Sequence, residues 1–330
     1  MHRIKNIIVS LTLTAVSLAL CLLVGEFVLR VKNSSMKTYD IEMWRYAKEL
    51  KERSPDPDLS FDHVRSRSAV LQGVRIDLNE MGLRGGPLQP LPEGARRVLF
   101  LGGSITLGWG VAQQDTVEAQ LEGMLRRAGE DAQVLNGGVG NYNAVRYVSR
   151  FFKELAELQP TDIVVQYFLR DAEDLPPEGG NFLLRNSELA VTLWIAYHRM
   201  FDAAGEQSLV DHYRKVYDPA APGFVRMKAQ LKQLADYAMA HRIRLFLAMT
   251  PDIHNLADYK FGFIHDLMRR IADADGYVFI DLLPALAGHS PEQLYAMPGD
   301  PHPNARGHRL MAEAIFRELA GGRRTQADQR

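Results

Sequence analysis

The chain has little of what builds covalent staples or metal sites. Its 330 residues include one cysteine, Cys21, which excludes an intramolecular disulfide and a cysteine-based zinc site. Ten histidines are present, but no His-Glu-x-x-His pattern and no regularly spaced cluster, so a metalloenzyme is not expected, and the acyl-transfer mechanism weighed below requires no metal or organic cofactor. A dominant charge is missing too: 39 Lys+Arg stand against 40 Asp+Glu, for a net charge of −1. Without a basic field to hold phosphate backbones, nucleic acid is not an expected partner. Internal repeats of roughly 20–50 residues are absent. A hydrophobic fraction of 46% with 24% charged residues fits a folded chain rather than a disordered one.

What is present begins with a long uncharged run. From Asn6 to Gly25 twenty residues carry no charge. At about 1.5 Å per helical residue that spans roughly 30 Å, the hydrocarbon thickness of a bilayer. Arg3 and Lys5 precede it, and Glu26, Arg30 and Lys32 follow. Ser17-Leu18-Ala19 would serve as a signal-peptide cleavage site, but the apolar run continues through Leu20, Leu22, Leu23 and Val24, where a signal peptide would have ended. Leu20 also stands before Cys21 where a lipobox has a small residue. Residues 1–30 are therefore expected to be an uncleaved membrane anchor. Arg30, Lys32, Lys37 and Arg45 outnumber Arg3 and Lys5, so the flanking charges leave orientation open.

Residues 31–95 are polar and poorly periodic, broken by Ser54-Pro55-Asp56-Pro57-Asp58 and by Pro87, Pro90 and Pro92 among glycines. They read as a juxtamembrane stalk. From Arg96 the pattern changes. Short apolar runs at 98–101, 133–135, 162–168, 244–249 and 277–280 read as buried strands. Helical spacing separates them, at 115–129, 144–158 and 256–273, with a last helix from about Ala305 to Leu319. Continuous apolar strands alternating with amphipathic helices predict an α/β domain over 96–320, a parallel sheet covered on both faces. Residues 172–222 fit the alternation poorly. Their helix near 186–203, with Leu189, Leu193, Trp194, Tyr197 and Met200, is either an extra packing helix or a lid. Residues 321–330 read as a disordered tail.

In parallel α/β sheets ligands sit outside the carboxyl ends of the strands. After the first strand comes Gly102-Gly103-Ser104-Ile105-Thr106-Leu107-Gly108-Trp109-Gly110. No Lys-Ser or Lys-Thr follows, and the glycines miss the dinucleotide spacing, which argues against a phosphate cradle. Ser104, held at the strand's end, offers a hydroxyl nucleophile with its own N–H toward an oxyanion, or simply a helix cap. Near the other end stands Gly299-Asp300-Pro301-His302-Pro303-Asn304-Ala305-Arg306-Gly307-His308. In an extended segment residues two apart point the same way. Asp300 would then lie beside His302, fixing its tautomer and stabilising the imidazolium formed when it takes a proton from serine. His308 reads as a helix residue.

Together these segments resemble the SGNH/GDSL hydrolase family. Phe100-Leu101-Gly102-Gly103-Ser104 is similar to its nucleophile block, Leu135-Asn136-Gly137-Gly138-Val139-Gly140-Asn141-Tyr142 to its glycine block. Val164 to Ala172 resembles the third block and Asp300 to His308 the last, all in family order over about residues 75–320. Asn79-Glu80-Met81-Gly82-Leu83-Arg84-Gly85 resembles a lead-in common in membrane-anchored bacterial members. The resemblance implies a flavodoxin-like three-layer sandwich and a Ser104-His302-Asp300 triad, with Gly138 as an oxyanion donor. Two departures stand out: Gly103 where the family has aspartate, and Arg170 where it has an oxyanion asparagine. Arg170 would donate in its place, engage an anionic sugar, or pair with Asp171 or Asp174. Trp109 and Tyr142 would stack on a sugar ring or serve as packing.

The tight Asp-x-His block is similar to that of polysaccharide O-acetylation proteins. The implied functions are an esterase on acylated envelope glycans or lipids and an O-acyltransferase working on an exported glycan. The second would act beside a membrane-bound O-acyltransferase, with the catalytic domain in the periplasm and α-helical anchoring in the inner membrane. A non-catalytic glycan-binding scaffold of the same fold is the alternative from another class.

Overall fold

The computed structural model describes residues 2–35, 38–92, 94–176, 182–201, 206–297 and 302–327. Its strands are β1 (Lys51–Arg53), β2 (Phe61–His63), β3 (Ser68–Leu71), β4 (Val74–Asp77), β5 (Arg96–Gly102), β6 (Ala132–Asn136), β7 (Asp162–Tyr167), β8 (Arg244–Met249) and β9 (Val278–Asp281). The helices are α1 (His2–Ser35), α2 (Tyr39–Glu49), α3 (Ser104–Leu107), α4 (Val117–Arg127), α5 (Ala144–Lys153) and α6 (Phe182–Asn186). They continue with α7 (Glu188–Phe201), α8 (Glu206–Val216), α9 (Pro222–Ala240), α10 (Gly262–Asp275), α11 (Leu283–Leu286) and α12 (Ala305–Ala327). The chain divides into two compact units, residues 1–48 with 178–204, and residues 49–177 with 205–330.

In the first unit α1 is long and apolar enough to cross a membrane. Beyond its uncharged run it carries the polar groups that position α7. The Glu26 carboxylate accepts hydrogen bonds from Ser187 Oγ (2.8 Å) and from the backbone N–H groups of Glu188 (3.1 Å) and Leu189 (3.0 Å). Those amides are first-turn donors without an intrahelical carbonyl, so an anion there completes the helix. The Trp44 indole donates to the Leu184 carbonyl at 2.7 Å, holding α6 against α2.

In the second unit the five strands β5 to β9 form one parallel sheet in the order β6-β5-β7-β8-β9. Successive side chains point to opposite faces, and each face has its own core. Leu99, Leu101, Ile163, Val165, Leu245 and Leu247 pack with residues of α5, α9 and α10. Val98, Phe100, Val164, Phe246 and Ala248 pack with residues of α4, α11 and α12. All six residues of β7 are buried, as the uninterrupted apolar run predicts. The expected α/β sheet is present.

Three segments differ from expectation. Residues 49–95 are folded into the second unit instead of forming a stalk: β1 pairs with β2 and β3 with β4 in antiparallel hairpins, and Phe61 and Leu83 join the sheet's core. Their strands are too short to show an apolar pattern, and in β1 and β2 buried positions are held by Lys51 and His63. The 172–222 segment is divided, with α6 and α7 in the first unit and α8 in the second. The last helix runs on to Ala327, through Gly321 and Gly322.

At the amino ends of the strands the buried Asp162 carboxylate of β7 gathers charge from two neighbouring strands, β5 and β8. Arg96 Nε and Nη2 each donate to it at 3.1 Å, and Arg244 Nε does so at 2.6 Å. Arg96 Nη1 also donates to Glu130 at 2.6 Å. Removing one partner of a buried ion pair leaves the other charge uncompensated. Asp162→Asn is expected to cost about 3 kcal/mol in chemical denaturation; a loss within experimental scatter would contradict this account.

Candidate active site

β5 ends at Gly102, and Ser104 is the first residue of the one-turn helix α3. The turn is tight: a Cβ on Gly102 would lie 2.0 Å from Thr106 Oγ1 and 2.9 Å from the Gln166 carbonyl oxygen. Only glycine leaves room for the chain to reverse so closely. Gly108 closes α3 with a left-handed φ of 77°, the usual glycine helix stop.

Ser104 Oγ lies 2.7 Å from His302 Nε2, a contact between residues 198 apart in the chain. His302 is buried, with 4% exposure. Its backbone is held at its carbonyl and two residues beyond. The His302 carbonyl accepts from Ala296 N at 2.8 Å, and Asn304 N donates to the Leu294 carbonyl at 2.6 Å. Asn304 Oδ1 then accepts from the N–H groups of Arg306 and Gly307 at 3.0 and 3.1 Å, capping α12. A serine hydroxyl within hydrogen-bond distance of an imidazole nitrogen at a strand's carboxyl end is a nucleophile–base geometry. Asp300 lies outside the described residues.

The remaining expected site residues sit differently from their assigned roles. Trp109 is fully buried, with 0% exposure, so it packs inside the protein and presents no ring to a ligand. Tyr142 is also buried; its hydroxyl donates to the Phe61 carbonyl and its ring packs 5.2 Å from the Phe61 ring. Both readings as sugar platforms are corrected to packing. The Gly138 N–H donates to Asn136 Oδ1 at 3.0 Å, so it is engaged by its own loop rather than directed at an oxyanion. The glycine there meets a steric need: a Cβ would fall 2.2 Å from Leu107 N. Arg170 pairs with Glu173, Nε to Oε2 at 3.2 Å, and its side chain is half exposed. The expected partners Asp171 and Asp174 are engaged elsewhere. Asp171 accepts from Phe168 N at 3.1 Å and from Tyr147 Oη at 3.3 Å, and Asp174 pairs with Arg226.

Several residues that hold the site were not singled out for that role from sequence. Arg84, buried at 3% exposure, donates to the carbonyls of Leu107, Gly108 and Val111, each at 2.6 Å. Asn136 Nδ2 donates to the Thr106 carbonyl at 2.7 Å and to Glu118 Oε2 at 3.0 Å. Arg150 donates to the Gly137 carbonyl at 3.3 Å and to Met81 and Gly82 at 3.2 Å. His308 Nδ1 accepts from Val117 N at 3.1 Å, capping α4. Beyond β8, Asp252 Oδ1 lies 2.9 Å from His254 Nδ1. The Asp252-Ile253-His254 spacing, identical to that of 300–302, was the available signal.

No protein-family model matches the chain, and no curated protein matches it. Among solved structures it is similar to the acetylxylan esterase Axe2 from Geobacillus stearothermophilus, at 18% identity over 68% of this chain and 94% of that one, with a TM-score of 0.45. It is also similar to TesA, at 16% identity over 68% of this chain and 98% of that one, TM-score 0.46. A third is a lipolytic protein of the G-D-S-L family from Desulfitobacterium hafniense, at 14% identity over 67% and 98% of the two chains, TM-score 0.42. What this chain does chemically rests on its own residues.

Buried titratable groups around the site are driven toward their neutral forms. Burial pushes the Glu118 carboxyl up to about 8, against the lowering pull of hydrogen bonds and the Arg84 charge. Burial likewise raises Asp171 to about 8, and it lowers His308 to about 3 with help from the charge of Arg84. A carboxyl raised in the folded state holds its proton there while the unfolded chain has lost it, so stability falls as pH rises between the two values. For Glu118 that window runs from its ordinary 4.5 to about 8. Glu118→Gln is expected to flatten the fall of the urea midpoint between pH 5 and 8. An unchanged pH slope in the variant would contradict an uncharged buried Glu118.

Proposed function

We propose that this chain is a serine-dependent acyl-ester enzyme of the SGNH/GDSL type. The observation that carries the reading is the 2.7 Å approach of Ser104 Oγ and His302 Nε2 at the carboxyl edge of a parallel sheet, where ligands bind in this architecture. Ser104 Oγ attacks the ester carbonyl while its proton passes to His302 Nε2. The tetrahedral oxyanion is held by the Ser104 N–H, a first-turn donor of α3 that has no intrahelical carbonyl partner. Collapse of the intermediate breaks the bond to the alcohol, which leaves with the proton from His302. Water then attacks the acyl-enzyme with His302 as base, releasing the acid and restoring Ser104. Asp300, two residues before His302, is assigned to orient the imidazole.

The finer reading is that the ester is an O-acyl group on an envelope or exported glycan, and that a sugar hydroxyl replaces water when the enzyme transfers rather than hydrolyses. It is supported by a membrane-length α1 and by the Asp-x-His block of the sequence. The catalytic unit would then face the periplasm, beside a membrane-bound O-acyltransferase that supplies the acyl group. Acyl transfer to glycan without release of free acid distinguishes transferase from esterase.

The full chain in detergent is expected to hydrolyse a small acetyl ester and to show an acetyl adduct by intact mass. Ser104→Ala is expected to remove the adduct and lower turnover at least about 1,000-fold, as for loss of a catalytic nucleophile. Equal background-level behaviour in both proteins would contradict the reading. Glycan binding that survives Ser104→Ala in a protein without turnover would instead identify a scaffold.

A further inference from the structure

The start of α7 is fixed against residues 25–33 of α1. Glu26 is the first charged residue after the uncharged run, and it binds Ser187 Oγ and the N–H groups of Glu188 and Leu189. Immediately before it, a Cβ on Gly25 would lie 3.7 Å from Leu189 Cδ2. Arg30 donates to the Asn186 carbonyl at 3.0 Å, and Asn33 to Glu188 at 2.6 Å. These contacts join the first turn of α7 to the point where α1 leaves its uncharged run. If α1 spans a bilayer, that point is the hydrocarbon boundary.

From Leu189 to Tyr197 the sequence of α7 has no charged residue; Val191 is buried, but another part of its apolar surface is exposed. Leu193 is 61% exposed, Trp194 49% and Tyr197 62%. At about 100° per helical residue these three fall within an arc of roughly 100°. On α6, which leads into it, Phe182 and Leu183 are exposed as well. The uncharged stretch is far below the roughly 20 residues needed to cross a bilayer. Its exposed Trp and Tyr are the residue types that favour the level of the lipid headgroups.

We propose that α7 is a second membrane-contacting element, whose Leu193, Trp194 and Tyr197 face beds into the headgroup–acyl boundary of the bilayer that α1 spans. The occupant is lipid because the helix starts at the boundary set by α1 and exposes Trp194 and Tyr197, residue types that favour the headgroup level. An amphipathic helix lying in the interface gains by burying such side chains while its polar groups stay wet. The ester chemistry of the other unit plays no part in this inference.

The test uses the full chain with its single cysteine removed, Cys21→Ser. One of Leu13→Cys, Leu193→Cys or Tyr197→Cys is then added and carries a nitroxide. In nanodiscs of phosphatidylethanolamine and phosphatidylglycerol, power saturation compares collision with oxygen and with a water-soluble nickel chelate. Oxygen is expected to exceed nickel severalfold at all three sites, with Leu13 deepest. Nickel exceeding oxygen at 193 and 197, with Leu13 still oxygen-rich, would overturn the proposal by placing α7 in water. Low access to both reagents at 193 and 197 would overturn it in favour of a protein partner. Nickel access at Leu13 would overturn the anchor and this proposal together.

Discussion

The position of Ser104 depends on a single buried guanidinium. The chain after β5 turns back so sharply that the carbonyls of Leu107, Gly108 and Val111 lie within reach of one side chain, the Gly108 carbonyl also accepting from Val111 N at 3.1 Å. Arg84 supplies all three. A buried carbonyl left unmade costs about 1–3 kcal/mol, so the turn that carries the serine would be poorly determined without it. Asn136 works from the other side of the same turn through the Thr106 carbonyl. Arg150 ties the neighbouring glycine loop, at Gly137, to Met81 and Gly82. The segment before the sheet is therefore a support for the site, folded onto it through two arginines.

Electrostatics at the two ends of the sheet follow opposite solutions to burial. At the amino ends Asp162 stays among two guanidiniums, where paired charge offsets desolvation. Near the site, Glu118 and Asp171 are instead pushed toward the protonated form and His308 toward the neutral imidazole. Arg84 is the charged group retained close to that turn, and its charge is shared over three carbonyl dipoles.

The parallel sheet was legible in sequence because strands buried on both faces read as unbroken apolar runs, as in Val98 to Leu101 and Ile163 to Val165. Ser104 and His302 were singled out in sequence by their places after a strand and before the terminal helix, and the structure brings their side chains within 2.7 Å. Residues 51–77 were not legible. Their strands span three or four residues, and their stability comes from partners such as Arg150 that lie far along the chain. The burial of Trp109 and Tyr142 was equally hidden, because exposure is a tertiary property that local spacing does not report. Gly138 looked like an oxyanion donor, but the structure gives it a steric reason to be glycine. For α7, the apolar pattern was visible in sequence while its docking on Glu26 was not.

The account turns on Ser104 being activated by His302. Exposing the full chain to a fluorophosphonate ester and mapping the adduct by peptide mass spectrometry tests this directly. The account predicts stoichiometric phosphonylation of Ser104 and its near-complete loss in His302→Gln. Labelling at another residue, or labelling of Ser104 that proceeds equally fast without the imidazole, would contradict it.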